Sequence, residues 1–460
     1  MSSQSFVRRT HVDASADEVF RWHTRPGAFE RLVPPWSSIR VLNRTDGIGN
    51  GARIVLRVRK GPVALPWILD HHDCIEGRQF RDAQVSGPFQ RWEHIHRFEP
   101  DGDHACYLQD RIEYDLPFGT AGHLVANSYV KNELERCFVY RHRIIKNDIR
   151  IHAAHSGQPR LRILVTGASG FIGSSLIPFL TTGGHEVISL TRGPRIGIQN
   201  TIPWEPDTGR IHPAALEGFD AVIHLAGESL NTLRWSNEKK KRIRDSRGLG
   251  TRLLCETLAR LNRPPKVLLS ASAIGFYGDR GGEILHEESD SGAGFLASVC
   301  RDWEAATKPA ADAGIRVVNL RMGIVLSAAG GMLARLSAPF YMGLGGTFGS
   351  GWQYMSWIAI DDAVGAIHHA LMTDKLSGPI NVVGPYVAFN RDFTKTFGRV
   401  IERPAVCHVP AFAARALMGE VADEMILASA RVEPRRLLDS GYVFLYPELE
   451  GALRHVLGRA

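Results

Sequence analysis

Hydrophobic positions along the chain change period between about residue 150 and residue 160. Before that point apolar and polar residues alternate. Ile54, Leu56 and Val58 stand between Arg53, Arg57 and Arg59, and Ile112, Tyr114 and Leu116 between Arg111, Glu113 and Asp115. A period of two predicts antiparallel strands with one face buried. Ser15, followed three residues later by Glu18 and then by Val19 and Phe20, reads as a capping box opening a short helix. Val130, Leu134, Cys137, Phe138, Ile144 and Ile145 recur at helical spacing. They predict a long helix, to about residue 149, with an apolar stripe to lay on the sheet. Residues 152–160, with Ser, Gly and Pro, read as a linker.

After the linker, short apolar runs at 161–166, 186–190, 221–225, 267–270 and 316–320 predict strands. Helical patterns separate them, notably at 174–180, 237–261 and 296–313. Alternating strand and helix predicts an α/β fold with a Rossmann-type, doubly wound parallel sheet covered on both faces. The less regular C-terminal stretch is expected to form a small substrate lobe over the strand ends.

The first of these strands runs into Gly167, Gly170 and Gly173, and an apolar helix follows at once. Glycines let a backbone turn sharply and approach phosphates, and the helix N-terminus offers unpaired N–H groups and a positive dipole end. Gly167, Ser169, Gly170, Phe171, Ile172 and Gly173 are therefore expected to hold a dinucleotide. The next strand ends Ser189-Leu190-Thr191-Arg192, with Arg195 close behind and no acid. A carboxylate there would suit the free ribose of NAD, whereas a cation suits the 2′-phosphate of NADP. Arg192 is the expected 2′-phosphate ligand, and NADP is favoured over NAD. Leu225, Ala226 and Gly227, closing the third strand, and Ser270, closing the fourth, complete the expected cofactor set. His224, inside an apolar strand, reads as a satisfied core histidine.

Composition narrows the field. A formal charge of +7 over 460 residues is modest, and the basic residues are scattered. The dense run Lys239-Lys240-Lys241-Arg242 lies in a helical pattern as a solvated face, so no nucleic-acid partner is expected. Six cysteines form no CxxC pair and fit reduced thiols better than a disulfide or zinc framework; no metal site is expected. A signal-peptide core is missing and no apolar run reaches the roughly 18 residues that span a bilayer. A cytoplasmic protein without a membrane partner is expected. HExxH, GxSxG and P-loop strings do not occur, which removes zinc-protease, α/β-hydrolase and Walker-type readings.

Residues 3–150, with Phe6-Val7, the run 14–23 and Leu32-Val33-Pro34-Pro35-Trp36, resemble the START-like, polyketide-cyclase-like (SRPBCC) fold. That resemblance implies an α+β helix-grip domain over 1–151, in which a curved sheet and long helix enclose an apolar ligand. Residues from about 161 to 457 resemble atypical extended short-chain dehydrogenases/reductases of the epimerase-like group. The matching runs are 166–173, 224–228, 270–279, 299–304, 320–326 and 355–362. This second resemblance implies an NADP-binding domain with a C-terminal substrate lobe over 161–460.

Such enzymes work with Ser, Tyr and Lys, the lysine four residues after the tyrosine and lowering its pKa. No tyrosine of this chain has lysine at that spacing. Aligning the helix that ends in Glu304 with the YxxxKxxxE run puts Leu296 at the tyrosine position and Cys300 at the lysine position. Ser272 stands where the family's serine stands, and Tyr277 on the following loop reads equally as a candidate proton donor and as a packing aromatic in a glycine-flanked turn. Cys300 reads as a small buried helix residue, and at least one of Asp361 and Asp362 as a helix cap.

Three accounts of function stay open. One is an NADP-dependent oxidoreductase or sugar-nucleotide-epimerase-like enzyme acting on an unknown small carbonyl or sugar-like substrate. Another is a non-enzymatic NADP(H)-sensing protein whose first half holds an apolar ligand or a partner. In a third, the first half presents a hydrophobic substrate to the second. A homodimer is compatible with each.

Overall fold

The alternation of the first half becomes seven strands in one antiparallel sheet, β1 (Gln4–Val12), β2 (Ile39–Arg44), β3 (Arg53–Lys60), β4 (Val63–Ile75), β5 (Gln79–Ser86), β6 (Arg91–Pro100) and β7 (Cys106–Asp115). Their spatial order is β1-β7-β6-β5-β4-β3-β2. The computed structural model describes residues 3–45, 47–117, 119–193 and 200–459. Two compact units divide it, residues 1–157 with 178–184 and residues 158–177 with 185–459.

In the first unit Ile54, Leu56, Ile112, Tyr114 and Leu116 are buried, as their period demands. Helix α1 (Ala16–Thr24) starts where Ser15 Oγ accepts the Glu18 N–H at 3.3 Å, and it buries Val19, Phe20 and Trp22. A second short helix, α2 (Ala28–Leu32), leads into β2. Helix α3 (Gly119–Ala153) lays Leu134 and Phe138 against Ile112 and Tyr114, and Ile144 and Ile145 against Phe98 and Leu108. It takes in the first two residues of the expected linker. Arg150 and His152 in its last turn suit the negative end of the helix dipole.

The second unit holds an eight-stranded sheet. Strands β8 (Arg162–Thr166), β9 (Glu186–Thr191) and β10 (Thr201–Glu205) run parallel, with β11 (Arg210–Ile211) antiparallel at the edge. On the other side of β8 lie β12 (Ala221–His224), β13 (Val267–Ala273) and the strands Arg316–Met322 and Gly378–Val382, all parallel. The chain winds outward from β8 in both directions, which opens a crevice at the carboxyl ends of β8 and β12. Helix α4 (Gly173–Thr182) follows β8, and α5 (Asn237–Leu258) follows β12 with Ser236 Oγ capping Lys239 N.

The helix expected over 296–313 is two helices, α6 (Phe295–Ala305) and α7 (Lys308–Asp312). Pro309 cannot donate to the helical ladder and its ring crowds the turn before it, so the helix restarts there. Asp361 and Asp362, expected to cap a helix, lie inside the first turn of Ile360–Met372. Asp362 accepts the N–H groups of Leu445 and Tyr446 instead, and Asp361 pairs with His455 at 2.7 Å. Among the described residues no helix is long and apolar enough to cross a membrane.

Candidate functional site

The loop between β8 and α4 is built to be approached closely. Gly167 has φ +71°, and a Cβ there would stand 2.7 Å from the Leu225 carbonyl. Glycine alone allows both the left-handed backbone and the contact. A Cβ on Gly173 would stand 2.4 Å from Gly167 O. Gly170 N–H donates to Gly167 O at 2.9 Å and Ser174 N–H to Gly170 O at 3.0 Å, closing the turn onto the helix.

A hydrogen-bonded support lies beneath. Thr166 Oγ accepts the N–H groups of Leu225 and Ala226, each at 3.1 Å. With its lone pairs so used, its proton goes to His224 Nδ1 at 2.7 Å, and His224 Nε2–H then donates to Thr251 Oγ at 2.9 Å. Burial lowers the His224 pKa to about 4, so the imidazole is neutral near neutral pH.

Above the loop lies a cavity of about 180 Å³ between the ends of β8, β9 and β12. Gly167, Ser169 and Gly170 form one wall, Leu225, Ala226 and Gly227 another, and Arg192 a third. Arg195 lies outside the described residues. Phe171, Ile172, Gly173 and Ser270, expected with this set, do not line the cavity. The Phe171 ring packs on the backbone of Gly330 and Gly331, Gly173 opens α4, and Ser270 is fully buried in β13. Asp207 and Glu228 also line it, and sequence reasoning missed both. Asp207 sits on a single 3-10 turn between β10 and the edge strand β11, which no periodicity announces. Glu228 pairs with Lys239 at 2.6 Å, which holds its carboxyl below the usual range.

The next strand ends are arranged differently. Leu296 and Cys300 of α6 pack on the 3-10 turn after β13, where a Cβ on Gly275 would stand 3.2 Å from Leu296 Cβ and 3.9 Å from Cys300 Sγ. Burial pushes the Cys300 thiol up to about 12. Ser272 Oγ donates to Glu304 Oε1 at 2.7 Å, and Glu304 takes a bidentate pair from Arg321 at 2.8 and 2.9 Å. Arg321 Nη1 donates to the Tyr277 hydroxyl at 2.9 Å, and that hydroxyl donates to Asn381 Oδ1 at 2.7 Å.

Tyr277 is completely buried and burial pushes its pKa up to about 12. The hydroxyl is spent inside the protein, as in the packing reading of Tyr277, and the high pKa is the reverse of an activated phenol. Ser272 is likewise tied to Glu304 and away from the cavity.

One cation near Cys300 escaped the sequence reading. Arg247 of α5 donates through Nη1 to Glu228 O at 3.0 Å and to Ile243 O at 3.2 Å, and its guanidinium lies 4.9 Å from the Trp303 ring centre. A Cβ on Gly227 would stand 3.3 Å from its Cζ.

The model of the NAD dependent epimerase/dehydratase family matches residues 163–384. An epimerase family protein of Mycobacterium bovis is 40% identical over 297 residues, covering 65% of this chain and 98% of that one. The chain belongs to the NAD-dependent epimerase/dehydratase family. In this epimerase-family chain residues 12–141 match the polyketide cyclase/dehydrase and lipid transport family, and 409–456 a domain of unknown function. The first unit is thus a START-like domain and the second a Rossmann-type epimerase fold. A crystal structure of a nucleoside-diphosphate sugar epimerase from Corynebacterium glutamicum is 34% identical with a TM-score of 0.81, covering 98% of this chain and 90% of that one. The human epimerase family protein SDR39U1 (isoform 2), solved with NADPH, is 34% identical with a TM-score of 0.60, covering 64% of this chain and 99% of that one.

Proposed function

We propose that this chain binds NADP(H) and exchanges hydride with a small carbonyl or sugar-like substrate without a tyrosine–lysine couple. The observation that carries the reading is the cradle of Gly167, Gly170 and Gly173, whose close approaches leave room for main-chain amides to meet a pyrophosphate at the start of α4. Arg192, exposed at the cavity wall, suits a 2′-phosphate. The human relative solved with NADPH supports the same choice. Hydride chemistry comes with the dinucleotide when it is bound. The chain's own task is to hold it and to place a positive charge at Gly227. Arg247 supplies that charge beside Cys300, where the lysine is missing.

A second reading, an NADP(H)-responsive binder without turnover, is favoured by the engagement of Ser272 and Tyr277 in a buried network. Following NADPH absorbance against a panel of carbonyl compounds separates the two. Consumption that survives Tyr277→Phe supports hydride exchange without the couple. Tight NADPH binding with no consumption across the panel overturns it in favour of the binder.

A further inference from the structure

Strand pairing in the START-like unit sets Asp82 of β5 opposite His94 of β6, and His96 of β6 opposite Asp110 of β7. His94 and His96 are two apart, so their side chains leave one face of the sheet. All four residues are buried. His94 Nε2–H donates to Asp110 Oδ1 at 2.7 Å, and His96 Nδ1 stands 2.7 Å from the same oxygen. His142 of α3 donates through Nε2 to Asp110 Oδ2 at 2.5 Å, while its Nδ1 is bonded to the Thr10 hydroxyl at 2.8 Å. Asp110 therefore holds the Nε2 proton of His94, and its Oδ1 also lies within ion-pair distance of His96 Nδ1. The other nitrogens of the two β6 imidazoles, His94 Nδ1 and His96 Nε2, lie 3.3 and 3.4 Å from Asp82 Oδ1.

Those longer distances are informative. His94 Nδ1, His96 Nε2 and Asp82 Oδ1 converge in a buried space beside a second carboxylate, Asp110, an arrangement that calls for positive charge among them, carried by a protonated imidazole or by a bound cation. Ligand atoms about 2.1 Å from a tetrahedral metal stand about 3.4 Å apart, close to the separation of each nitrogen from Asp82 Oδ1, and all three ligand atoms lie within 4.8 Å of one another. We propose that Asp82, His94 and His96 bind one first-row divalent transition-metal ion, with Asp110 as the carboxylate that orients both imidazoles.

A dication balances the charges of Asp82 and Asp110. Two nitrogens and one oxygen suit zinc or iron(II), whereas calcium and magnesium prefer oxygen alone. Three protein ligands leave a coordination position open, unlike the closed shell of a structural zinc. Aromatic rings wall the site: Phe80 stacks on His96 at 4.1 Å between ring centres, and Phe138 stands edge-on to His94 at 5.3 Å. His23, its ring centre 6.0 Å from His96, has its Nδ1–H committed to Val19 O at 2.8 Å. The sequence reading expected no metal, because cysteine spacing says nothing of a site made by histidine and aspartate on paired strands.

The test is titration of the chelator-stripped full-length chain with Co2+, followed by visible d–d absorption. One equivalent is expected to bind and to be displaced by Zn2+. Asp110→Asn is expected to weaken binding about 10- to 100-fold with stoichiometry unchanged. The pair Asp82→Asn and His94→Gln is expected to abolish the band. A folded wild-type chain that develops no band overturns the proposal, as does a band of wild-type affinity in the double variant. Should a variant fail to fold, proton NMR of the wild-type cobalt form decides. Two shifted, solvent-exchangeable imidazole N–H signals are expected, from His94 Nε2–H and His96 Nδ1–H, and their absence overturns the proposal.

Discussion

The glycine loop after β8 and the helix α6 after β13 stand at the same end of one parallel sheet, yet they are equipped for different work. At the loop every close approach keeps space clear: Gly167 against Leu225, Gly173 against Gly167, with Thr166 and His224 propping the turn from below. At α6 the space is filled. Leu296 and Cys300 pack on Gly275, and Glu304 binds Ser272 and Arg321 in a buried network that ends at Tyr277. Holding a dinucleotide and activating a tyrosine are separable properties of this fold, and this chain retains the features suited to the first.

The comparison breaks most visibly at Arg321. Arg321→Met leaves the part-buried Glu304 carboxylate without its guanidinium, and a loss of about 2–4 kcal/mol in unfolding free energy is expected. A change under a few tenths would mean that the network does not hold α6 in place. Denaturant unfolding measures it.

Acid tests the loop side. The folded His224 pKa is depressed to about 4 from an ordinary 6.5. Between those values the unfolded chain takes up a proton that the folded chain refuses. Stability present above pH 6.5 is therefore lost as pH falls toward 4, by up to about 3 kcal/mol from this residue. His224→Gln is expected to flatten that part of the stability–pH curve. An unchanged slope would place the titration elsewhere.

Smaller effects sharpen the division. Arg192→Ala is expected to weaken NADPH about 10- to 100-fold, the value of one lost charge-assisted contact, and to leave NADH nearly unchanged. Equal losses for both would remove the arginine from the 2′-phosphate. Tyr277→Phe is expected to cost about 1–2 kcal/mol of stability, from partners left unpaired at Asn381 and Arg321, with no change in NADPH affinity.

The two sides also differed in how far they could be read from the sequence. Gly167, Gly170 and Gly173 announce themselves because strand, turn and helix are contiguous, and alternation at Ile54–Val58 and Ile112–Leu116 announces its strands for the same reason. The sequence left Tyr277 open between packing and proton transfer because its direction depends on a 3-10 turn and on Asn381, more than a hundred residues away. Pro309 was visible in the sequence, but its break in the helix was not given its weight. Arg247 looked like one basic residue in a charged helix, and nothing local says that it faces Gly227. His94 and His96 could be placed on one face, but Asp82 and Asp110 join them only through a register set by the β5–β6 and β6–β7 turns.

The measurement that bears most directly on the account is calorimetric titration of the wild-type chain with NADPH, beside a Gly170→Val variant whose side chain would stand at the cavity wall. Saturable binding of NADPH to the wild type, lost in a variant that unfolds at an unchanged temperature, is the result the account requires. No heat with the wild type at saturating NADPH, or equal heat from both proteins, would contradict it.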